Sequence, residues 1–98
     1  MRLIHTTFEK NRESIVARGL VAAYALSSTE RVWFCKPFKG KWAVKHVCRR
    51  HREKAANVVV FVLDVPESWL HRYADGVYFT YKDIPPACIA EVRGSSPV

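Results

Sequence analysis

The chain has 98 residues, of which 49% are hydrophobic and 26% charged, a composition that fits one folded domain with a modest core and excludes a disordered chain. The longest apolar run, residues 58–63, is too short to span a membrane, so no membrane partner is expected. The formal net charge of +7 and the isoelectric point of about 9.7 favour a polyanionic partner, which includes nucleic acid, a dinucleotide or an acidic protein. We predict a single domain over residues 1–93 and a flexible tail over residues 94–98.

The first predicted elements are a short strand that ends at His5 and Thr6, and an amphipathic helix that follows it. Thr7 is of the residue type that caps a helix, and Gly19 can take the left-handed conformation that ends one. A histidine at a strand end beside a helix start is well placed for an anionic ligand. The alternative is that His5 only packs there. The predicted buried contacts of the helix are Phe8, Ile15 and Val16.

The next part of the chain predicts a second strand and a longer helix. Residues 20–26 fit either a short strand or an extended connection, and residues 27–30 form a polar turn. A strand is predicted over residues 31–35 and a helix over residues 38–53. The buried stripe of that helix is predicted to be Ala43, Val44, Val47 and Cys48. A flank of the helix beside this stripe carries Trp42, His46 and Arg50 at intervals of four residues.

The last third of the chain is predicted to be mostly strand. Residues 58–63 are β-branched and apolar on both faces, which is typical of a central strand. A helical turn is predicted within residues 67–73, strands over residues 77–81 and 87–93, and a turn at Asp75 and Gly76. The whole pattern predicts an α+β fold in which two main helices cover a mixed, twisted sheet.

The three cysteines, Cys35, Cys48 and Cys88, are widely spaced and odd in number. This usage is typical of reduced thiols, so we expect a cytoplasmic protein without a disulfide framework. Cys35 is expected to be a buried structural thiol. His46 and His51 flank Cys48, but these spacings point the side chains to different sides of a helix, and no metal site is predicted.

The sequence of the opening elements resembles a known family. His5, Thr6 and Thr7 stand where the ADP-ribosyltransferase fold has a His-x-Thr motif between strand and helix. The resemblance is closest to the NAD-binding C-terminal lobe of the RNA 2'-phosphotransferases, where the motif usually reads His-Gly-Thr.

Three further stretches resemble the same family in the same order. Residues 32–36 lie where the family has a Val-His-Leu-Ser strand, and residues 47–51 where it has Val-Gly-x-Arg-His-Gly, which matches Arg50 to the family's arginine. Residues 75–80 resemble an Asn-Gly-Val-Trp-Leu-Thr strand, and residues 84–86 resemble the Val-Pro-Pro that follows it. The four matches together extend from residue 3 to about residue 92.

The resemblance implies an NAD site with assigned roles. His5 is expected to contact the ribose on the nicotinamide side, Thr6 the nicotinamide amide through its backbone, and Thr7 the pocket wall. Arg50 is expected to bind the pyrophosphate or an acceptor phosphate. If ADP-ribose is transferred, the implied catalytic residues are His5 and Arg50, and the acceptor is a nucleic acid or a protein.

Departures from the family pattern bear on activity. Thr6, Trp33 and Cys35 replace a glycine, a histidine and a serine, and Ala87 stands where the family has an acid. The family's N-terminal lobe supplies an Arg-His pair and another arginine, and we expect no counterpart of these residues here. RNA 2'-phosphotransfer by this chain alone is therefore not expected. The glutamate of typical ADP-ribosyltransferases is not evident either, which favours NAD binding over vigorous transfer.

The alternative prediction is a catalytically inactive, basic module that binds nucleic acid or an acidic host protein. Trp33 or Trp42 would offer a stacking surface. The basic residues that would carry such binding are Arg49, Arg50, Arg52 and Lys54. The same cluster also fits a solvated helix end that complements the helix dipole. A small basic protein with an incomplete active site is typical of a phage or mobile element.

Overall fold

One six-stranded sheet organises the chain, for which a computed structural model describes residues 1–24, 30–52 and 54–94. Its strands are β1 Arg2–Phe8, β2 Val32–Cys35, β3 Val58–Asp64, β4 His71–Ala74, β5 Val77–Thr80 and β6 Ile89–Gly94. Two helices accompany it, α1 Arg12–Arg18 and α2 Gly40–His51. The predicted α+β class with two main helices is confirmed.

Every strand pairing in this sheet is antiparallel, so the predicted mixed sheet is wrong. The strand order is β4-β5-β2-β1-β3-β6. The helical connection from β2 to β3 leaves these two strands running in the same direction. However, β1 lies between them and runs opposite to both, so no parallel pair forms.

Strand β3 is an internal strand, as its apolar sequence indicates, but it lies second from the edge and not at the centre. It pairs with β1 along its full length and with β6 on its other side. Most of its side chains are buried on both faces, which explains why the sequence does not alternate. The two central strands are β1 and β2.

Strand β4 replaces most of the predicted helical turn at residues 67–73. Only Glu67–Trp69 form a 3-10 turn, after which β4 and β5 make a hairpin around Asp75 and Gly76. All four residues of β4 are exposed, so the apolar alternation that identifies a half-buried strand is missing. Gly76 has φ +70°, which a tight turn of this kind requires.

Helix α2 and helix α1 accompany different parts of the core. On the α2 side, Ala43 packs with one side chain from each of three strands: Ile4, Cys35 and Val62. The larger cluster contains Leu3, Ile15, Leu20, Ala22, Val32, Phe34, Val59, Phe61, Leu63, Val65 and Ile84. Consecutive β1 residues therefore serve the two clusters in turn, as strand geometry requires.

The bounds of α2 differ slightly from the prediction. A 3-10 turn at Pro37–Lys39 precedes it, and Arg52 ends it in the left-handed conformation with φ +53°. The predicted last residue, Glu53, lies outside the described residues. Of the predicted buried stripe only Ala43 is buried, whereas Val44, Val47 and Cys48 are half-buried, so the prediction is confirmed only in part.

Helix α1 begins later than predicted because β1 continues through Phe8. The residue before the helix is Asn11, so the prediction that Thr7 caps a helix is wrong. Phe8 and Ile15 are buried as predicted, but Val16 is 50% exposed and is not a core residue.

Leu20 follows α1 and forms an isolated bridge with Ile84, closed by two backbone hydrogen bonds of 2.9 and 2.8 Å. The polar turn at residues 27–29 and the tail at residues 95–98 lie outside the described residues, whereas Gly94 belongs to β6 and not to the tail. No described helix has both the length and the apolar character that crossing a membrane requires.

Gly19→Ala tests the close approach that ends α1. Gly19 has φ +80°, and a Cβ atom there would overlap the carbonyl oxygen of Ile84. We expect the substitution to lower the free energy of unfolding by about 2 kcal/mol or more, because both the backbone conformation and the bridge to Leu20 are disturbed. Urea denaturation followed by circular dichroism measures it.

The matched control is Gly94→Ala, since a Cβ atom there would meet nothing within 4 Å. This control should change the stability by no more than about 0.5 kcal/mol. Equal effects of the two substitutions would contradict the close-approach argument.

Candidate functional site

A gap opens in the centre of the sheet between β1 and β2. The two strands pair only at Ile4 and Cys35, whereas β1 pairs with β3 on its other side through Phe8. From His5 onward, β1 therefore makes no backbone strand pairing with β2. Because backbone groups alternate sides along a strand, every second residue there directs its N–H and C=O groups into the gap.

The gap is part of a cleft of about 750 Å³, which is within the size range of small-molecule sites. Residues from β1, β2, the start of α1 and one flank of α2 line it. The titratable lining is basic, and no Asp or Glu of the described residues belongs to it. These basic and imidazole side chains are His5, Lys10, Arg31, His46, Arg50 and His51.

His5 spans the gap between β1 and β2. Its Nδ1 lies 2.7 Å from the carbonyl oxygen of Trp33, and because a carbonyl only accepts, Nδ1 carries the hydrogen. In the neutral ring this leaves Nε2 as an acceptor. Burial lowers the pKa of His5 below its ordinary value of 6.5, and the hydrogen bond to Trp33 opposes that shift only in part. The neutral tautomer is therefore the favoured form.

Thr6 and Thr7 lie on opposite faces of β1, and both line the cleft. The hydroxyl of Thr7 accepts a hydrogen bond of 3.2 Å from Asn11 Nδ2, which ties β1 to the start of α1. The hydroxyl of Thr6 is buried and has no hydrogen-bond partner among the described residues. A buried hydroxyl without a partner is uncommon in folded proteins.

Arg50 reaches the cleft from α2, on the flank that the sequence predicted. Trp42 and His46 precede it at intervals of four residues, their rings stacked with centroids 5.1 Å apart, and both line the cleft as well. Arg50 is exposed and forms no ion pair within the described residues. Its guanidinium is therefore available to an anionic ligand.

The sequence prediction thus named four residues, His5, Thr6, Thr7 and Arg50, that the fold brings to one cleft. Three other lining residues, Arg31, Trp33 and Tyr73, were not assigned to this site. Arg31 and Trp33 reach the gap because β2 lies beside β1 in the sheet. Tyr73 depends on the unpredicted strand β4. The sequence carried no local signal for either arrangement.

The other basic residues of the sequence prediction, Arg49, Arg52 and Lys54, are exposed and do not line the cleft. Within the described ranges, no cluster of three or more His, Cys, Asp or Glu side chains is arranged to hold a metal ion. Cys35 is buried, and burial raises the pKa of its thiol to about 11. It is consequently protonated at neutral pH and a poor nucleophile.

No protein-family model matches the sequence, and a search of the curated proteins finds no significant match.

Thr6→Val tests the unpartnered hydroxyl. Removing a buried hydroxyl that has no partner should leave the free energy of unfolding unchanged or raise it, by up to about 1 kcal/mol. Thr7→Val is the matched control, because it deprives Asn11 of its acceptor and should lower the free energy by about 1 kcal/mol. Urea denaturation of both variants gives the comparison. Equal destabilisation by both would show that the Thr6 hydroxyl has a partner.

The lowered pKa of His5 predicts that the stability of the fold depends on pH. Since its pKa is lower in the folded chain than in the unfolded one, the unfolded state binds more protons below about pH 6.5. The contribution of His5 to the free energy of unfolding is fully present above that pH. It is lost as the pH falls through the pKa that His5 has in the folded chain. We expect the difference in stability between the wild type and His5→Asn to shrink from about pH 7.5 to about pH 5.

Urea denaturation at each pH measures this difference, and an NMR titration of the His5 ring in folded and urea-unfolded protein measures the shift directly. A His5 pKa at or above that of the unfolded chain would contradict the assignment.

Proposed function

We propose that the cleft binds NAD or a related dinucleotide. The observation that carries the proposal is the convergence of His5, Thr6, Thr7 and Arg50 on one basic cleft of suitable volume. The resemblance to the ADP-ribosyltransferase fold assigns NAD-binding roles to these same four residues. The ADP-ribosyltransferase-like fold itself is part of this proposal, supported by the order of strands and helices.

Each residue has a role that its surroundings support. Arg50, exposed and without an ion pair in the described part of the chain, would bind the pyrophosphate through its forked donors. Nε2 of His5 would accept a hydrogen bond from a ribose hydroxyl. The open edge of β1 would offer a backbone donor and acceptor to the nicotinamide amide, at Thr6 or a neighbouring residue.

Binding is the better supported part of this function. In ADP-ribosyl transfer the bond between nicotinamide and ribose breaks, and positive charge develops on the ribose. A nearby carboxylate would stabilise that charge, but the described cleft lining contains none. Any transfer to a nucleic-acid or protein acceptor would depend on positioning by His5 and Arg50 and would be slow.

An NMR titration of isotope-labelled protein with NAD tests the proposal. We expect saturable shifts on residues 4–8 and along the flank of α2 that carries Arg50. Arg50→Ala should weaken binding by about tenfold, because a charge-assisted hydrogen bond to phosphate is lost. His5→Ala should displace the shifts on β1.

The matched control is Arg49→Ala, which removes the same charge from the neighbouring residue outside the cleft. It should change the affinity less than about threefold. The absence of shifts at about millimolar NAD, where weak sites are still detected, would refute the proposal. Equal losses in Arg49→Ala and Arg50→Ala would show a nonspecific charge effect.

The alternative function, a catalytically inactive basic module, remains a prediction. Of the residues assigned to it at the end of α2, only Arg50 lines the cleft. A different part of the molecule supports nucleic-acid binding more directly.

A further inference from the structure

Among the described residues, no helix covers the aromatic rings on one half of the sheet, a surface that we call the aromatic face. It lies on β2, β5 and β4, on the same side of the sheet as α2. The core cluster beneath α2 draws its strand side chains from β1, β2 and β3, and none from β4 or β5. The rings of the aromatic face belong to Trp33, His71, Tyr73, Phe79 and Tyr81.

Two of the rings, those of Phe79 and Trp33, are half-buried, and their centroids are 5.0 Å apart. The other three rings are exposed: Tyr73 at 67%, Tyr81 at 54%, and His71. Each exposed ring lies beside a half-buried one, with centroid distances of 5.0 Å from Trp33 for Tyr73, and of 5.2 and 5.5 Å from Phe79 for His71 and Tyr81.

Arg31 adds a positive charge to this surface. Its guanidinium lies 4.7 Å from the centroid of Phe79 and 5.2 Å from that of Tyr81. It forms no ion pair among the described residues, and its buried Nε lacks a hydrogen-bond partner. An arginine held against rings, with its donors unused, is suited to a phosphate.

We propose that the aromatic face binds single-stranded nucleic acid. Unpaired bases would stack on the exposed rings of His71, Tyr73 and Tyr81, and Arg31 would contact the backbone phosphate between them. Charge favours this occupant, because the described residues that form the face include a cation and no carboxylate, on a chain with a net charge of +7. A duplex keeps its bases paired and stacked, so it cannot use the rings.

Binding of single-stranded nucleic acid to the aromatic face does not require NAD. On α2, to whose end the sequence assigned nucleic-acid binding, the described ring contacts are two pairs, Trp42 with His46 and His51 with Phe8. The aromatic face instead combines five rings in mutual contact with an arginine that has no ion pair among the described residues. Arg31, Trp33 and Tyr73 also line the cleft, so the aromatic face and the cleft are continuous.

The test is fluorescence anisotropy with a labelled oligothymidylate of about twelve nucleotides, in the absence of NAD. The wild type should bind in the range of about 10⁻⁶–10⁻⁴ M and should bind a duplex of equal length at least about tenfold more weakly. The double variant Tyr73→Ala/Tyr81→Ala should lose about tenfold or more in affinity, since two stacking surfaces are removed. Both side chains are exposed, so circular dichroism should show an unchanged fold.

Two further variants locate the site. Arg49→Ala/Arg52→Ala removes two exposed charges far from the rings in sequence and should retain most of the affinity at about 150 mM salt. Arg31→Gln should reduce the dependence of log K on log salt by about 0.7, the value for one phosphate contact on a single strand.

Undetectable binding of the oligonucleotide at about 100 μM protein would overturn the proposal. So would equal affinity for the duplex, or an unchanged affinity in Tyr73→Ala/Tyr81→Ala. A loss confined to Arg49→Ala/Arg52→Ala would place binding at the end of α2 instead.

Discussion

The shape of the sheet depends on one constraint: the backbone pairing between β1 and β2 stops after Ile4 and Cys35. These are the two central strands, and a continuous ladder between them would close the sheet. Pairing at Ile4 and Cys35 holds the strands together at one end, and the imidazole of His5 bridges the gap beyond by donating to Trp33. A side chain thus supplies a contact that backbone groups would otherwise make. The free backbone edge, the cleft and the neutral state of His5 all follow from this arrangement.

Both strands that border the cleft, β1 and β2, are paired with another strand on the side away from it. β1 pairs with β3 over seven residues, and this pairing holds β1 in place although its other edge is open. β2 is held by β5. Outside the strands, the segment after α1 is joined to the segment after β5 by the bridge between Leu20 and Ile84, where Gly19 allows the two backbones to approach. The cleft therefore lies between two well-supported strands.

Much of the fold could be predicted from the sequence where patterning and burial agree. Residues 58–63 are apolar on both faces and form an internal strand, and the four-residue spacing of Ala43 and Val47, close to one helical turn, identifies α2. Strand β4 was missed because all its residues are exposed, so its pairing with β5 has no apolar signature. Thr7 was misassigned because threonine suits both a helix cap and a strand, and only the pairing of β1 with β3 selects the strand.

The candidate site was partly predictable for a different reason. His5 and Arg50 were selected by their resemblance to a family motif, which does not require knowledge of the register. Arg31, Trp33 and Tyr73 join the cleft through antiparallel strand order, which no local pattern specifies. The tertiary arrangement of an antiparallel sheet is decided by long-range pairing, and residues far apart in sequence meet only once that pairing is known.

The two edges of the sheet have a consequence for self-association. An uncovered aromatic surface beside an open strand edge would ordinarily invite a second copy to extend the sheet. Here the edge strand β4 has only four residues and an irregular register between Arg72 and Ala74. The other edge strand, β6, pairs with β3 in a register that shifts between Val62 and Leu63. It also carries the charged pair of Arg93 and Glu91. Short, charged and irregular edges disfavour intermolecular pairing, so the chain can present its rings to solvent with less risk of aggregation.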